Sequence, residues 1–158
     1  MGNIFSATEA VEMGVQIEKN GRDFYSGVAG SSKNPKAKEL FEFLGGEEEK
    51  HIKRFEAILS QVKKYEPSEA YTGEYFAYIK TLSEEHVFTK ENKGVDIAKG
   101  VENDKDAIEL GIGFEKKSIL FYEGMKKVIL EGEHKIIDKL IEEEKGHLAK
   151  LSELKKGS

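Results

Sequence analysis

The sequence predicts an all-α protein: a four-helix bundle of two duplicated helical hairpins joined by a long, partly helical crossover. Three observations lead there. Apolar residues recur at helical spacing over four long stretches of the 158-residue chain. With only two prolines, 38% apolar and 35% charged residues suit long amphipathic helices better than a sandwich or barrel. And one hairpin is written twice. AVEMGVQIEKNGRDFYSGV (10–28) aligns without gaps on AIELGIGFEKKSILFYEGM (107–125). More weakly, LFEFLGGEEEKHI (40–52) lies on IIDKLIEEEKGHL (136–148).

The elements follow in order. SATE (6–9) is a capping box, with Ser6 as N-cap and Glu9 reaching back, so the first core helix starts there and runs to about Ala29. GSSKNP (30–35) breaks it. Asn34-Pro35 reads as the N-cap and first residue of the second core helix, which runs to about Lys64. These two form hairpin 1, about 7–64. The crossover takes about 65–103. Within it, SEAYTGEYFAYIKTLSEEHVF (68–88) predicts a shorter helix and NKGVDIAKGVEN (92–103) a helical turn or two. The third core helix starts near Asp104, as a cap, and ends before Gly132. The fourth runs from about Glu133 to Leu154, completing hairpin 2, about 104–155. The length suits one domain with a real core and is too short for two.

Short loops make each hairpin antiparallel. A two-fold axis perpendicular to the bundle would set the second and third core helices parallel, so the crossover must return along the whole bundle. Twenty-odd helical residues span about 30 Å, so a crossover of this length is ample.

Composition narrows the chemistry. A net charge of −5 gives no sign of nucleic-acid binding. The absence of cysteine excludes disulfides, thiol catalysis and zinc or iron–sulfur sites built on Cys. No stretch approaches ~18 apolar residues, and MGNIFSATEA lacks the basic start and apolar run of a signal peptide. No membrane association is expected, and a cytoplasmic location is.

The decisive pattern is which charges face inward. At about 100° per residue, Val11, Gly14, Val15 and Tyr25 fall within about 60° of Glu18, while Glu12, Gln16, Lys19 and Asp23 fall on the far side. On the third core helix Ile108, Gly111, Ile112, Ile119 and Tyr122 surround Glu115 in the same way. On the second, Phe41, Leu44, Ile52 and Phe55 flank Glu48, with His51 inside the stripe, Glu49 and Lys50 facing away and Glu47 at the margin. On the fourth, Ile137, Leu140, Leu148 and Leu151 flank Glu144, with His147 beside it. Six polar side chains thus enter one core: Glu18, Glu48, His51, Glu115, Glu144 and His147. Each buried, unpaired carboxylate costs several kcal/mol, against a total stability of roughly 5–15 kcal/mol. Two divalent cations would balance four carboxylates with both imidazoles neutral. One Glu from each of two helices plus Glu-x-x-His from each of the other two is the ligand set of di-iron carboxylate bundles. Oxygen and imidazole ligands suit iron or manganese and can hold zinc.

At these residues the sequence resembles the ferritin-like di-iron carboxylate proteins, and among them the rubrerythrin-like group. The paired Glu-x-x-His motifs and the EKxxxxFY context (Glu18 to Tyr25, Glu115 to Tyr122) carry the resemblance, over both hairpins. It implies a ferritin-like fold and two iron ions. It also implies that Glu48 and Glu144 bridge them, that Glu18 and Glu115 are terminal, and that Tyr25 and Tyr122 hydrogen-bond ligand carboxylates. The implied activity is reduction of hydrogen peroxide or dioxygen, with electrons from an external rubredoxin-like donor. The alternatives are a ferroxidase or iron-handling protein and a metal-stabilised bundle without catalysis. Two departures stand out. The chain has no Cys-x-x-Cys pairs, and Ser118 stands where rubrerythrins carry an extra glutamate, its repeat counterpart being Gly21. The symmetric six-ligand set resembles that of bacterioferritin, yet the short fifth helix of cage-forming ferritins is not expected after the fourth.

The remaining features read more plainly. Glu131 and His134 form a third Glu-x-x-His spacing that Gly132 interrupts, so both are expected in a loop. His86 reads as an exposed or capping histidine. Tyr71, Tyr75 and Tyr78 are expected to pack across the bundle. Glu47 and Glu143 are expected to be solvated at the rim; whether either, or Glu74, adds a ligand is open. The glycines Gly45 and Gly46 are expected to let a neighbour come close beside the metals. Dimerisation through Ile4, Phe5 and crossover aromatics is a further expectation.

Overall fold

The computed structural model describes residues 7–64, 73–86, 93–127, 129 and 131–157; the side chains of 7, 62–64, 73–76 and 131 are outside that description. Ser6, Ile4, Phe5 and Tyr71, and the side chains of Glu74 and Tyr75, therefore lie beyond it. The described residues form an all-α, ferritin-like bundle. Four long helices, α1 (Ala7–Ser31), α2 (Pro35–Lys64), α5 (Asp104–Lys126) and α6 (His134–Lys156), make the core. Two short ones, α3 (Gly73–Glu84) and α4 (Gly94–Lys99), belong to the crossover.

Local chemistry sets the boundaries. Asn34 caps α2 as expected: its side-chain oxygen accepts from the N–H groups of Lys36 (2.9 Å) and Ala37 (3.2 Å). At α5 the cap is Asn103, which accepts from Asp106 N–H at 2.9 Å. Asp104, expected to cap, is instead the first helical residue and accepts from Asn34 N–H at 3.0 Å. One carboxylate thus satisfies the amide that precedes the other hairpin's helix. α5 stops at Lys126, earlier than expected, and a 3-10 turn over Glu131–Glu133 leads into α6. His134 is the first residue of α6, not a loop residue, and its Nε2 lies 3.3 Å from Ile129 O.

Side-chain pairs fix the helix directions. Residue 25 meets 115 and 122 meets 18, so α1 and α5 are antiparallel. Residue 51 meets 143 and 147 meets 47, so α2 and α6 are antiparallel too. α2 and α5 therefore run parallel, and the crossover climbs the bundle on the α1/α5 side. α3 lies on α5, with Ile79 over Gly124 and His86 beside Ser118. α4 lies on α1, with Gly94 at Asn20 and Ala98 over Gly27. Gly27 and Gly124 are repeat counterparts. A Cβ on Gly27 would stand 2.7 Å from Ala98 Cβ, and one on Gly124 would crowd the end of Ile79. The duplicated glycine thus seats one crossover helix on each half.

The core is aromatic and aliphatic. Phe24, Tyr25, Phe41, Leu44, Phe55, Phe114, Phe121, Tyr122, Leu140 and Leu151 are fully buried. Tyr78, expected to pack inward, is 48% exposed, because Ile79 takes the inward position on α3. No helix among the described residues is long and apolar enough to cross a membrane.

Candidate metal centre

Glu18, Glu48, Glu115 and Glu144 are fully buried, and His51 and His147 nearly so. They come from four helices to one level of the bundle. Two groups form, each with ligand-type atoms within 4.8 Å of one another: Glu18, Glu48, His51 and Glu144, and Glu48, Glu115, Glu144 and His147. Glu48 and Glu144 belong to both, and Glu18 and Glu115 to one each. The Nδ1 of His51 lies 2.9 Å from Glu144, 3.5 Å from Glu18 and 3.8 Å from Glu48. The Nδ1 of His147 lies 3.6 Å from Glu144, 3.7 Å from Glu115 and 3.8 Å from Glu48. The two imidazoles lie nearly parallel, their centroids 5.8 Å apart.

Each lone glutamate is held by the tyrosine of the other hairpin. Tyr25 donates to Glu115 Oε1 at 2.8 Å, and Tyr122 donates to Glu18 Oε1. One oxygen of each carboxylate is thereby fixed and the other turned inward. Burial and the neighbouring acids push both phenols well above their ordinary range, so they remain neutral donors.

Whether these residues suit a pair of cations is tested by the atoms left over. Among the described residues, eight buried side-chain atoms have no hydrogen-bond partner: Glu18 Oε2, both oxygens of Glu48, His51 Nδ1, Glu115 Oε2, both oxygens of Glu144, and His147 Nδ1. His51 Nδ1 approaches Glu144 Oε1 without the alignment of a hydrogen bond. Orphaned polar atoms normally destabilise a core, and here all of them belong to the same six residues. Divided between the two groups, they give each one oxygen of Glu18 or Glu115, one imidazole nitrogen and a share of Glu48 and Glu144. That donor set fits hard divalent metals with mixed oxygen and nitrogen ligation.

The electrostatics agree. Burial and nearby Glu144 push Glu18 up to about 7. Burial and Glu144 also hold Glu115 well above the carboxylate range. Glu144 itself stays ionised: burial opposes its charge, but Glu115, His147 and His51 outweigh it. Burial alone would pull His51 down, yet Glu18 and Glu144 drive it up to about 11. The clustered acids thus raise the proton affinity of the groups among them.

Glu47 and Glu143 are neither ligands in the described geometry nor freely solvated, as the rim reading had them. Their side chains are 18% and 27% exposed, and each faces the outer nitrogen of the other hairpin's histidine. Glu143 Oε2 is 2.8 Å from His51 Nε2, while Glu47 Oε1 is 3.9 Å from His147 Nε2. Their margin position on the helical wheel was legible; that the wheel's edge meets a histidine of another helix was not. His86 is not the exposed or capping histidine expected. It is buried, its Nε2 3.0 Å from Ser118 Oγ and its ring edge-on to Phe114. It and Ser118 lie outside both groups, as does His134; the side chain of Glu131 is outside the described residues. A Cβ on Gly45 would lie 3.4–3.8 Å from Ser26, Tyr25 and Arg22 of α1, while one on Gly46 would meet nothing within 4 Å, so of the two only Gly45 has a close neighbour.

No curated protein and no solved structure matches this chain. The Rubrerythrin family model matches residues 9–155, a span that takes in both hairpins, the crossover and every residue of the cluster. With the duplicated hairpins and the paired Glu-x-x-His motifs converging on one buried site, the chain belongs to the rubrerythrin family.

Proposed function

We propose that this protein is a di-iron oxidoreductase of rubrerythrin type, which reduces hydrogen peroxide, or dioxygen, with electrons from an external donor. The observation that carries this reading is the set of eight unpartnered donor atoms shared between two groups with Glu48 and Glu144 in common. Glu18, Glu48, His51 and Glu144 would hold one iron; Glu48, Glu115, Glu144 and His147 would hold the other. Manganese or zinc would fit the same donors. Bound iron supplies one-electron redox chemistry at each position and Lewis acidity toward an O–O bond. Reduction of peroxide to two waters takes two electrons and two protons, so a pair of one-electron centres matches it.

The chain's own residues set the conditions. Tyr25 and Tyr122 lock the terminal carboxylates, so Glu115 and Glu18 each offer one defined oxygen. Glu143 orients His51 so that Nδ1 faces the cluster. These 158 residues hold no cysteine-based redox centre, and in this reading the electrons come from an external rubredoxin-like donor.

Ser118 gives a second reading its footing. It is buried against His86, where a rubrerythrin's extra glutamate would reach the cluster. That favours an iron-binding ferroxidase, with the site oxidising iron rather than turning over peroxide.

Anaerobic reconstitution with ferrous iron tests both. Two irons per chain, with steady peroxide consumption in the presence of reduced rubredoxin, is the expected result. Stoichiometric iron oxidation without turnover would favour the second reading. A protein that binds zinc but stays inert after iron loading would leave only a structural role. No bound metal, or unchanged binding in Glu48→Ala with Glu144→Ala, would sink the site.

A further inference from the structure

The two halves of the cluster are built from a repeat, but their surroundings are not symmetric. Glu143 and Glu47 are counterparts, as are Arg54 and Lys150, and Lys50 and Gly146. On one side, Arg54 Nη1 holds Glu143 Oε2 at 2.7 Å, and that same oxygen meets His51 Nε2 at 2.8 Å. On the other side, Lys50 takes Glu47 at 3.1 Å across one helical turn. Glu47 is left 3.9 Å from His147 Nε2. Lys150, the counterpart of Arg54, has its Nζ 4.2 Å from the centre of the Phe43 ring. Phe43, 42% exposed, packs edge-on to His147 instead. Two exchanges between the repeats thus separate a clamped histidine from a loosely supported one.

A carboxylate on the outer nitrogen of a ligating histidine fixes the ring and raises the basicity of the ligating nitrogen, typically changing metal affinity by about 10–100-fold. We propose that Glu143, held by Arg54, makes the two metal positions unequal: the one served by Glu18 and His51 is tight, and the one served by Glu115 and His147 is exchangeable. Glu143 and Arg54 are positioning residues here, acting through His51. The inference rests on the di-metal reading above. It extends that reading to the order in which the positions fill and to the position from which metal is lost.

The test is an anaerobic titration of the full chain with Co(II), followed by calorimetry and by visible absorption. The expected isotherm has two steps, separated by about 10–100-fold. Glu143→Gln, which keeps the side-chain volume, is expected to weaken the tight step by about 10-fold or more and bring the two steps together. Arg54→Leu should act in the same direction, and Glu143→Asp should recover part of the loss. Lys50→Ala should strengthen the weak step by releasing Glu47 toward His147. Mutual repulsion of two cations would also give stepwise binding, so the variants decide. Two steps that persist unchanged in Glu143→Gln, or one step in the wild type, would overturn the inference while leaving the di-metal site standing. No cobalt binding in folded wild-type protein would overturn both. Circular dichroism of each variant separates a binding change from a loss of fold.

Discussion

Glu48 has both carboxylate oxygens buried and unpartnered, one residue from Glu49, which is exposed and ion-paired with Arg22 at 2.8 Å. Side-chain direction on a helix separates them, and the 3.6-residue period makes that direction readable from sequence. The period says which side chains enter a core but not what they meet across it. His86 shows the difference. It follows α3 in a stretch too irregular for a wheel, and it ends up against Ser118 and Phe114. Burial, then Lys117, pull its imidazole down to about 3, with Glu144 acting the other way. The folded protein therefore keeps His86 neutral, while the unfolded chain protonates it below its ordinary value of 6.5. Its contribution is complete above that pH and is lost as the pH falls toward about 3. In urea denaturation of the metal-free protein between pH 6 and 4, wild type should lose stability more steeply than His86→Gln, by up to about 1.4 kcal/mol per pH unit. Lys117 and Glu144 are common to both proteins, so coincident slopes would refute the assignment.

At the scale of elements, the duplication explains more than the cluster. Gly27 and Gly124 aligned in the sequence without any evident purpose, and only the packed structure shows a crossover helix over each. The approach is closest where α4 meets α1. Gly94 N–H donates to Asn20 Oδ1 at 3.1 Å, and a Cβ at Gly94 would fall 1.9 Å from Asn20 O, which is backbone and cannot step aside. Gly94→Ala should therefore lift α4 from α1 and cost about 1–3 kcal/mol. Hydrogen exchange should show protection falling over 94–99 while α2 and α6 keep theirs. Unchanged protection in α4 would show that the contact can relax. The helices themselves were legible because caps and periodicity are local. The stop of α5 at Lys126 was not, since no proline or capping signal marks it and Gly132 lies further on.

For the whole molecule, the cluster sets stability against metal content. Four acids and two histidines at one level, with eight polar atoms unpartnered, burden the core until cations satisfy them. Glu48→Leu removes one buried acid and replaces it with a side chain of similar size. The metal-free variant is expected to melt at the same temperature as metal-free wild type or several degrees higher. Metal should raise the wild-type Tm and leave that of the variant nearly unchanged. A variant that melts well below wild type without metal would show that Glu48 stabilises the fold directly.

The sequence by itself determined the all-α class, the duplicated hairpins and the six inward-facing polar residues. All of these follow from local periodicity, from caps and from one segment repeating another. The tertiary structure alone decided that each tyrosine serves the opposite hairpin, that Glu143 and Glu47 address the opposite histidines unequally, that His86 is buried, and that the crossover rises along α5 and then α1. Those outcomes depend on which residues of distant segments come within a few ångströms of one another. Helical period fixes the direction a side chain takes, while the partner at its tip is set by the packing of another helix.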